Sequence, residues 1–90
     1  MTTKGVRVGE VTNFFGKISV AVVKLTMDLK VGDTVHFLGG HTDFQQTVTS
    51  MQVEHQSISD GKAGSEVAIK TTQRVRHGDA LYRLEDVDIA

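Results

Sequence analysis

Apolar residues recur at every second position in this chain, and that period limits what it can fold into. Val6 and Val8 bracket Arg7, Ile18, Val20 and Val22 bracket Ser19 and Ala21, Val35 and Phe37 bracket His36, and Val67 and Ile69 bracket Ala68. Successive side chains of a strand point to opposite faces, so such alternation reads as half-buried β-strands. Glycine-bearing turns separate the runs at Phe15-Gly16-Lys17, Val31-Gly32-Asp33, Gly39-Gly40, Asp60-Gly61 to Gly64, and His77-Gly78-Asp79. No stretch has the 3.6-residue period of a long amphipathic helix, and Met27 to Leu29 leaves room for one helical turn at most. The pattern predicts an all-β fold, a small closed antiparallel β-barrel of about six to seven strands. One domain is expected over residues 1–90, with the barrel over about 5–84 and an acidic tail over 85–90.

Two breaks in parity refine this. The apolar set shifts phase around Gly9-Glu10, and again between Val48 and Met51 before it continues at Val53. A strand keeps one face inward through such a slip only by bulging or bending. The long segment from Phe44 to His55 is therefore expected to turn a corner. Val8, Val20, Val22, Val35, Val48, Val53, Val67, Ile69 and Leu81 are the expected core.

With 90 residues the chain supports one compact core and leaves no room for a second domain or a large cleft. Ten Lys and Arg against eleven Asp and Glu give a net charge of -1. That balance argues against indiscriminate nucleic-acid binding, which rests on neutralising many phosphates, and DNA is not an expected partner. Cysteine is absent, which removes disulfides, thiolate catalysis and cysteine-based metal sites and fits a reducing cytoplasm. The opening Met-Thr-Thr-Lys-Gly has no apolar core of a signal peptide, and the longest apolar run is Val20 to Val23. A membrane helix needs about 20 apolar residues, so no membrane association is expected. The expected location is cytoplasmic.

The segments between the strands resemble domain 2 of the translational GTPases, the β-barrel that follows the GTPase domain in elongation factor Tu and its relatives. Val8-Gly9-Glu10-Val11 resembles that domain's opening strand, and Leu29-Lys30-Val31-Gly32-Asp33-Thr34-Val35 resembles its Gly-Asp step into the next strand. Val48 through Val53 resembles the central long strand, Asp60 through Val67 the alanine-glycine turn, and Val75 through Leu81 the closing element. The resemblance runs from about Val6 to Leu84. Similar barrels occur as free-standing elongation factor-like proteins and as the C-terminal domain of some collagenase-like peptidases, and the chain resembles these short forms most. The resemblance implies a domain 2-like barrel that contacts RNA, the ribosome or a translation-related protein.

The GTPase itself is missing. A phosphate-binding loop needs G-x-x-x-x-G-K-[ST], but Gly16-Lys17 is followed by Ile18, with Val11 where the first glycine belongs. Gly61-Lys62 is followed by Ala63, and no Asn-Lys-x-Asp element is present. His36, His41, His55 and His77 match no metal-site spacing, and no serine sits in a glycine-flanked elbow. No catalytic residue, cofactor or metal is expected, and the chain is read as a binding module rather than an enzyme.

Its contact surface is expected on the outer wall. Arg74 and Arg76 flank Val75, so with Val75 inward both arginines point outward. Phe14 and Phe15 are adjacent, so on a strand one of them leaves the core, and Lys17 lies beside them. Lys17, Arg74, Arg76, Phe14 and Phe15 are the candidate RNA- or partner-binding residues. Two readings stay open: an RNA- or ribosome-contacting module, or an accessory subunit such as a detached C-terminal barrel domain of a collagenase-like peptidase.

Overall fold

A computed structural model of the protein describes residues 2–87, with side chains described for residues 5–85. These residues form ten strands and no helix. They are β1 (Thr2–Phe15), β2 (Val20–Leu25), β3 (Leu29–Lys30), β4 (Thr34–Leu38), β5 (Asp43–Thr47), β6 (Met51–Val53), β7 (Gln56–Ser57), β8 (Asp60–Gly61), β9 (Glu66–Lys70) and β10 (Ala80–Val87). Eight of them make one sheet in the order β5-β4-β10-β1-β2-β9-β6-β7, and β3 pairs with β8 in a separate ribbon. Every pairing is antiparallel. The all-β antiparallel expectation is met. The β1–β10 pair extends past 5–84, since Lys4, Thr3 and Thr2 pair with Glu85, Asp86 and Val87. The rest of the expected acidic tail, residues 88–90, lies outside the described residues.

The expected closed barrel of six to seven strands is corrected to an open ladder with β5 and β7 as its edges. The expected long strand from Phe44 to His55 is split: β5 ends at Thr47 and β6 starts at Met51. Between them the chain turns the corner that the parity slip called for. Buried Val48 anchors this corner, donating its N–H to Asp33 O at 2.9 Å and accepting Gly32 N–H at 2.8 Å. On the far side of the gap, the Gln46 side chain rather than a backbone ladder reaches the end of β9.

The slip near Gly9 is a bulge. The β1–β10 register shifts between Arg7 and Gly9, and the β1–β2 register shifts between Val11 and Asn13. Gly9 is buried so tightly that a Cβ there would lie 2.7 Å from Lys24 O and 2.8 Å from a Val23 methyl. A bulge twists and bends the strand locally, which lets β1 bridge β10 and β2 around one core.

That core holds Val8, Val35, Val48, Val67, Ile69 and Leu81, as expected, together with Val11, Val23, Leu25, Leu29, Met51 and Val75. Phe37 and Phe44 stack within it, ring centroids 5.2 Å apart. Three expected core residues, Val20, Val22 and Val53, are only half-buried. The phase of β2 is the reverse of the expected one: Ala21, Val23 and Leu25 point inward. The run from Val20 to Val23 is apolar on both faces, so alternation alone does not set its parity. Lys24 and Leu25 do, because a charged side chain is costly to bury and a leucine is not.

Two turns use one solution, as the repeated Gly-Asp pairs suggested. In Lys30–Asp33 and Arg76–Asp79 the last residue's N–H bonds the first residue's carbonyl, at 3.1 and 3.0 Å. Gly32 and Gly78 take φ of 101° and 93°, which favours glycine. The aspartate then accepts the first residue's N–H through Oδ2, at 2.9 Å from Lys30 and 2.8 Å from Arg76. The 60–64 loop approaches the sheet closely at two glycines: Gly64 donates its N–H to Leu25 O at 2.8 Å, and Gly61 packs its Cα face against the core. A Cβ at Gly61 would meet a Leu25 methyl at 2.8 Å, whereas Gly64 has open space.

Candidate functional site

The reversed phase of β2 gives the sheet an apolar outer face. Val22 stands opposite Ala68 of β9, Ala68 opposite Gln52 of β6, and Val20 opposite Lys70. At the end of β1 the two phenylalanines part as expected. Phe14, paired with buried Ala21, packs against the core. Phe15, paired with Val20, turns outward and is 48% exposed. Ile18, in the turn that follows, is 58% exposed.

Phe15, Val22, Val53 and Ala68 line a groove of about 500 Å³ on this face. Its rim carries Glu54, His55 and Glu66. Glu54 and His55 form the two-residue turn of the β6–β7 hairpin, where Val53 pairs with Gln56. Both are left-handed, with φ of 50° and 66°. Such a turn matches the twist of a hairpin, but it usually recruits asparagine or glycine. Here the two larger side chains are held beside the groove.

Charge on the rim is negative and unpaired. Glu66 accepts the Thr12 hydroxyl at 3.0 Å. Lys24, directly opposite Glu66, donates instead to Gly64 O at 2.7 Å. Among the described residues neither Glu54 nor Glu66 makes an ion pair. A second hollow of about 540 Å³, lined by Val31, Met51, Ile58 and serine and threonine side chains, has no charged residue.

The five residues singled out from sequence do not share one pocket. Phe15 lines the groove and Phe14 does not. Lys17 is exposed in the β1–β2 turn. Arg74 and Arg76 are exposed on either side of Val75, which is 1% exposed, so their outward direction is as expected. The segment that carries them is not a strand, however. Residues 71–79 are irregular, pinned by Thr71 N–H to Ser19 O at one end and Gly78 N–H to Val11 O at the other, both 2.8 Å. These bonds tie the ends of the segment to the β1–β2 hairpin, and neither arginine lines the groove. Lys17, Arg74 and Arg76 make no ion pair among the described residues.

Sequence reasoning missed Val53, Glu54, His55 and Glu66. Taking Val20 and Val22 as core hid the outer face; Val53 packs against the core, as expected, and also lines the groove. The two-sided apolar run from Val20 to Val23 was the available clue.

No family model matches the chain. It is 39% identical over 82 residues to an uncharacterized protease of Methanocaldococcus jannaschii, a match that covers 90% of this chain. The chain spans only 20% of the length of that relative. Its fold is similar to the C-terminal domain of a Geobacillus thermoleovorans protein assigned as a U32 peptidase. One crystal structure of that domain, a selenomethionine variant, gives a TM-score of 0.82 at 18% identity, covering 86% of this chain and 98% of the domain. A second gives 0.80 at 18% identity, covering 84% and 89%.

These matches overturn the resemblance to elongation factor-like proteins: the relative is a protease and the shared fold is that of a peptidase C-terminal domain. The misleading segments were mostly turns. Lys30–Asp33 and Arg76–Asp79 are the same glycine-aspartate turn, a backbone solution that residue type and geometry explain without a family. The chain thus takes the fold of a U32 peptidase C-terminal domain and is a homologue of one fifth of a protease.

Proposed function

We propose that this chain is a non-catalytic docking module that serves a peptidase of the U32 type. The observation that carries the reading is the 39% identity, sustained over 82 residues, to one fifth of a protease. The fold likeness to a peptidase C-terminal domain supports it. A module of this kind leaves the chemistry to the rest of the enzyme, needs no cofactor of its own and acts through its outer wall. It works where the peptidase works, which we take to be the cytoplasm.

The test uses the M. jannaschii protease with its matching fifth removed. This body is mixed with the present chain, and binding is followed by calorimetry with and without RNase. Peptidase activity is measured on an unfolded protein with and without the chain. Binding in the micromolar range or tighter, with a change in activity, is expected. No binding and no effect on activity would discard the reading. Binding that disappears with RNase would instead return RNA as the partner, through Lys17, Arg74 and Arg76.

A further inference from the structure

We infer that the groove between Phe15 and the Glu54–His55 turn is the surface on which the peptidase body docks, and that it receives a segment of that body carrying an apolar side chain beside a lysine or arginine. This rests on the reading of the chain as a peptidase module.

Four observations lead to this occupant. Among the described residues the two most exposed large hydrophobic side chains are Ile18 at 58% and Phe15 at 48%; Phe15 lines the groove, and Ile18 follows three positions on in the adjoining turn. Val22, Val53 and Ala68 continue the apolar surface into it. A rim or surface leucine alone needs no explanation, but a contiguous apolar groove does.

The charge of the rim selects the partner. Glu54 and Glu66 border the apolar floor and make no ion pair among the described residues; Lys24, opposite Glu66, donates to Gly64 O instead. The complement is a cationic residue next to an apolar one, and opposed charge fixes register and favours encounter.

The third observation is rigidity. Two adjacent non-glycine residues in the left-handed region, Glu54 and His55, persist where the surroundings over-determine them. The Val53–Gln56 pair fixes the turn at its base and so presents Glu54 and His55 in a set position. The adjacent edge strand β7 pairs only with β6, leaving its other edge open to an extended segment.

The fourth is chain length. In the M. jannaschii relative the match takes 20%, so 80% (100 − 20) of that protein lies on the same chain as this module. A tethered partner is present at high effective concentration, so a shallow groove suffices to hold it.

The experiment compares three variants of the full chain against the same protease body, with RNase present. Phe15→Ser with Ile18→Ser removes the apolar end. Glu54→Lys with Glu66→Lys reverses the rim and touches no core residue. Arg74→Glu with Arg76→Glu alters the neighbouring loop outside the groove. Circular dichroism and unfolding midpoints confirm that each is folded. The expected result is at least tenfold weaker binding for both groove variants and less than a twofold change for the arginine variant. For the Glu54/Glu66 variant the salt dependence of the residual binding should also change sign. Wild-type binding with groove variants unchanged overturns the groove and leaves the module reading intact. Absence of wild-type binding removes both. Self-association of the chain that the groove variants abolish would assign the face to a second copy and overturn the inference as well.

Discussion

Gln46 grips the backbone at Thr72 as one peptide grips another. Its Oε1 accepts the Thr72 N–H at 2.8 Å, while its Nε2 donates to Lys70 O at 2.8 Å. A side-chain amide thereby ties edge strand β5 to the end of β9, across the gap where the ladder stops. Replacing Gln46 with leucine should cost about 1–2 kcal/mol, the worth of one or two such bonds. Gln46→Glu separates the two bonds. An ionised carboxylate still accepts from Thr72 but faces the Lys70 carbonyl without a proton to give, which favours the protonated form in the folded state. Its folded pKa should therefore rise above the ordinary glutamate value of about 4.3. The stability deficit relative to wild type is full above the folded pKa and shrinks as pH falls through it. Urea titrations of both proteins at pH 7 and pH 4 measure this; a deficit independent of pH would contradict it.

Gly39 lies against the Asp79 carboxylate so closely that a methyl group there would overlap it. Asp79 has no freedom to retreat, because it is buried and its Oδ2 holds the Arg76 N–H. Gly39→Ala should destabilise by about 1–3 kcal/mol through overpacking. Gly40→Ala, one position on, meets nothing within 4 Å and should change stability by less than about 0.5 kcal/mol. Thermal unfolding of the pair gives the comparison directly.

The phase of β2 has its own check. Val23 is fully buried and faces Val67, whereas Val22 faces the groove. Truncating Val23 to alanine should cost about 1–3 kcal/mol from lost burial and a cavity. The same change at Val22 should cost under about 1 kcal/mol. Equal costs, or the reverse order, would show that the strand sits the other way round.

Arg74 and Arg76 are exposed and unpaired among the described residues, and only Val75 between them is buried. Charge reversal at both arginines should leave the unfolding midpoint nearly unchanged, each contributing well under 1 kcal/mol. Val75→Ala should lower it clearly. A double arginine variant that unfolds would mean that the irregular segment depends on contacts made by these two side chains.

The fold class was open to reading from the chain because period-two alternation is imposed by strand geometry itself. The bulge at Gly9 and the corner after Val48 were also legible, since each displaces an apolar residue by one position. The face of β2 was not. Four consecutive apolar residues satisfy either parity, and the choice depends on Lys24 and Leu25 meeting a core that only the assembled sheet defines. The groove was lost for the same reason, because Val22 was already assigned inward. Glu54 and Glu66 gave no warning, since a carboxylate's lack of a cation is a property of neighbours distant in sequence. The likeness to elongation factors went astray where turns carried it, since a Gly-Asp turn reports backbone geometry and not ancestry, whereas the alternative of a peptidase C-terminal domain agrees with the matches found.

Thr2 and Val87 face one another in the β1–β10 pair. A load applied through both ends would therefore meet the hydrogen bonds of that pair one after another, as a zipper does, instead of all together in shear. The first bonds to part join strands that run to the outermost described residues, far from the bulge at Gly9. Under tension the module should peel from its paired ends at low force, and β1 and β10 would separate before the stacked Phe37 and Phe44 feel any pull. Coupled to a larger body by one end alone, the same module would bear no such load, and its seam would stay shut.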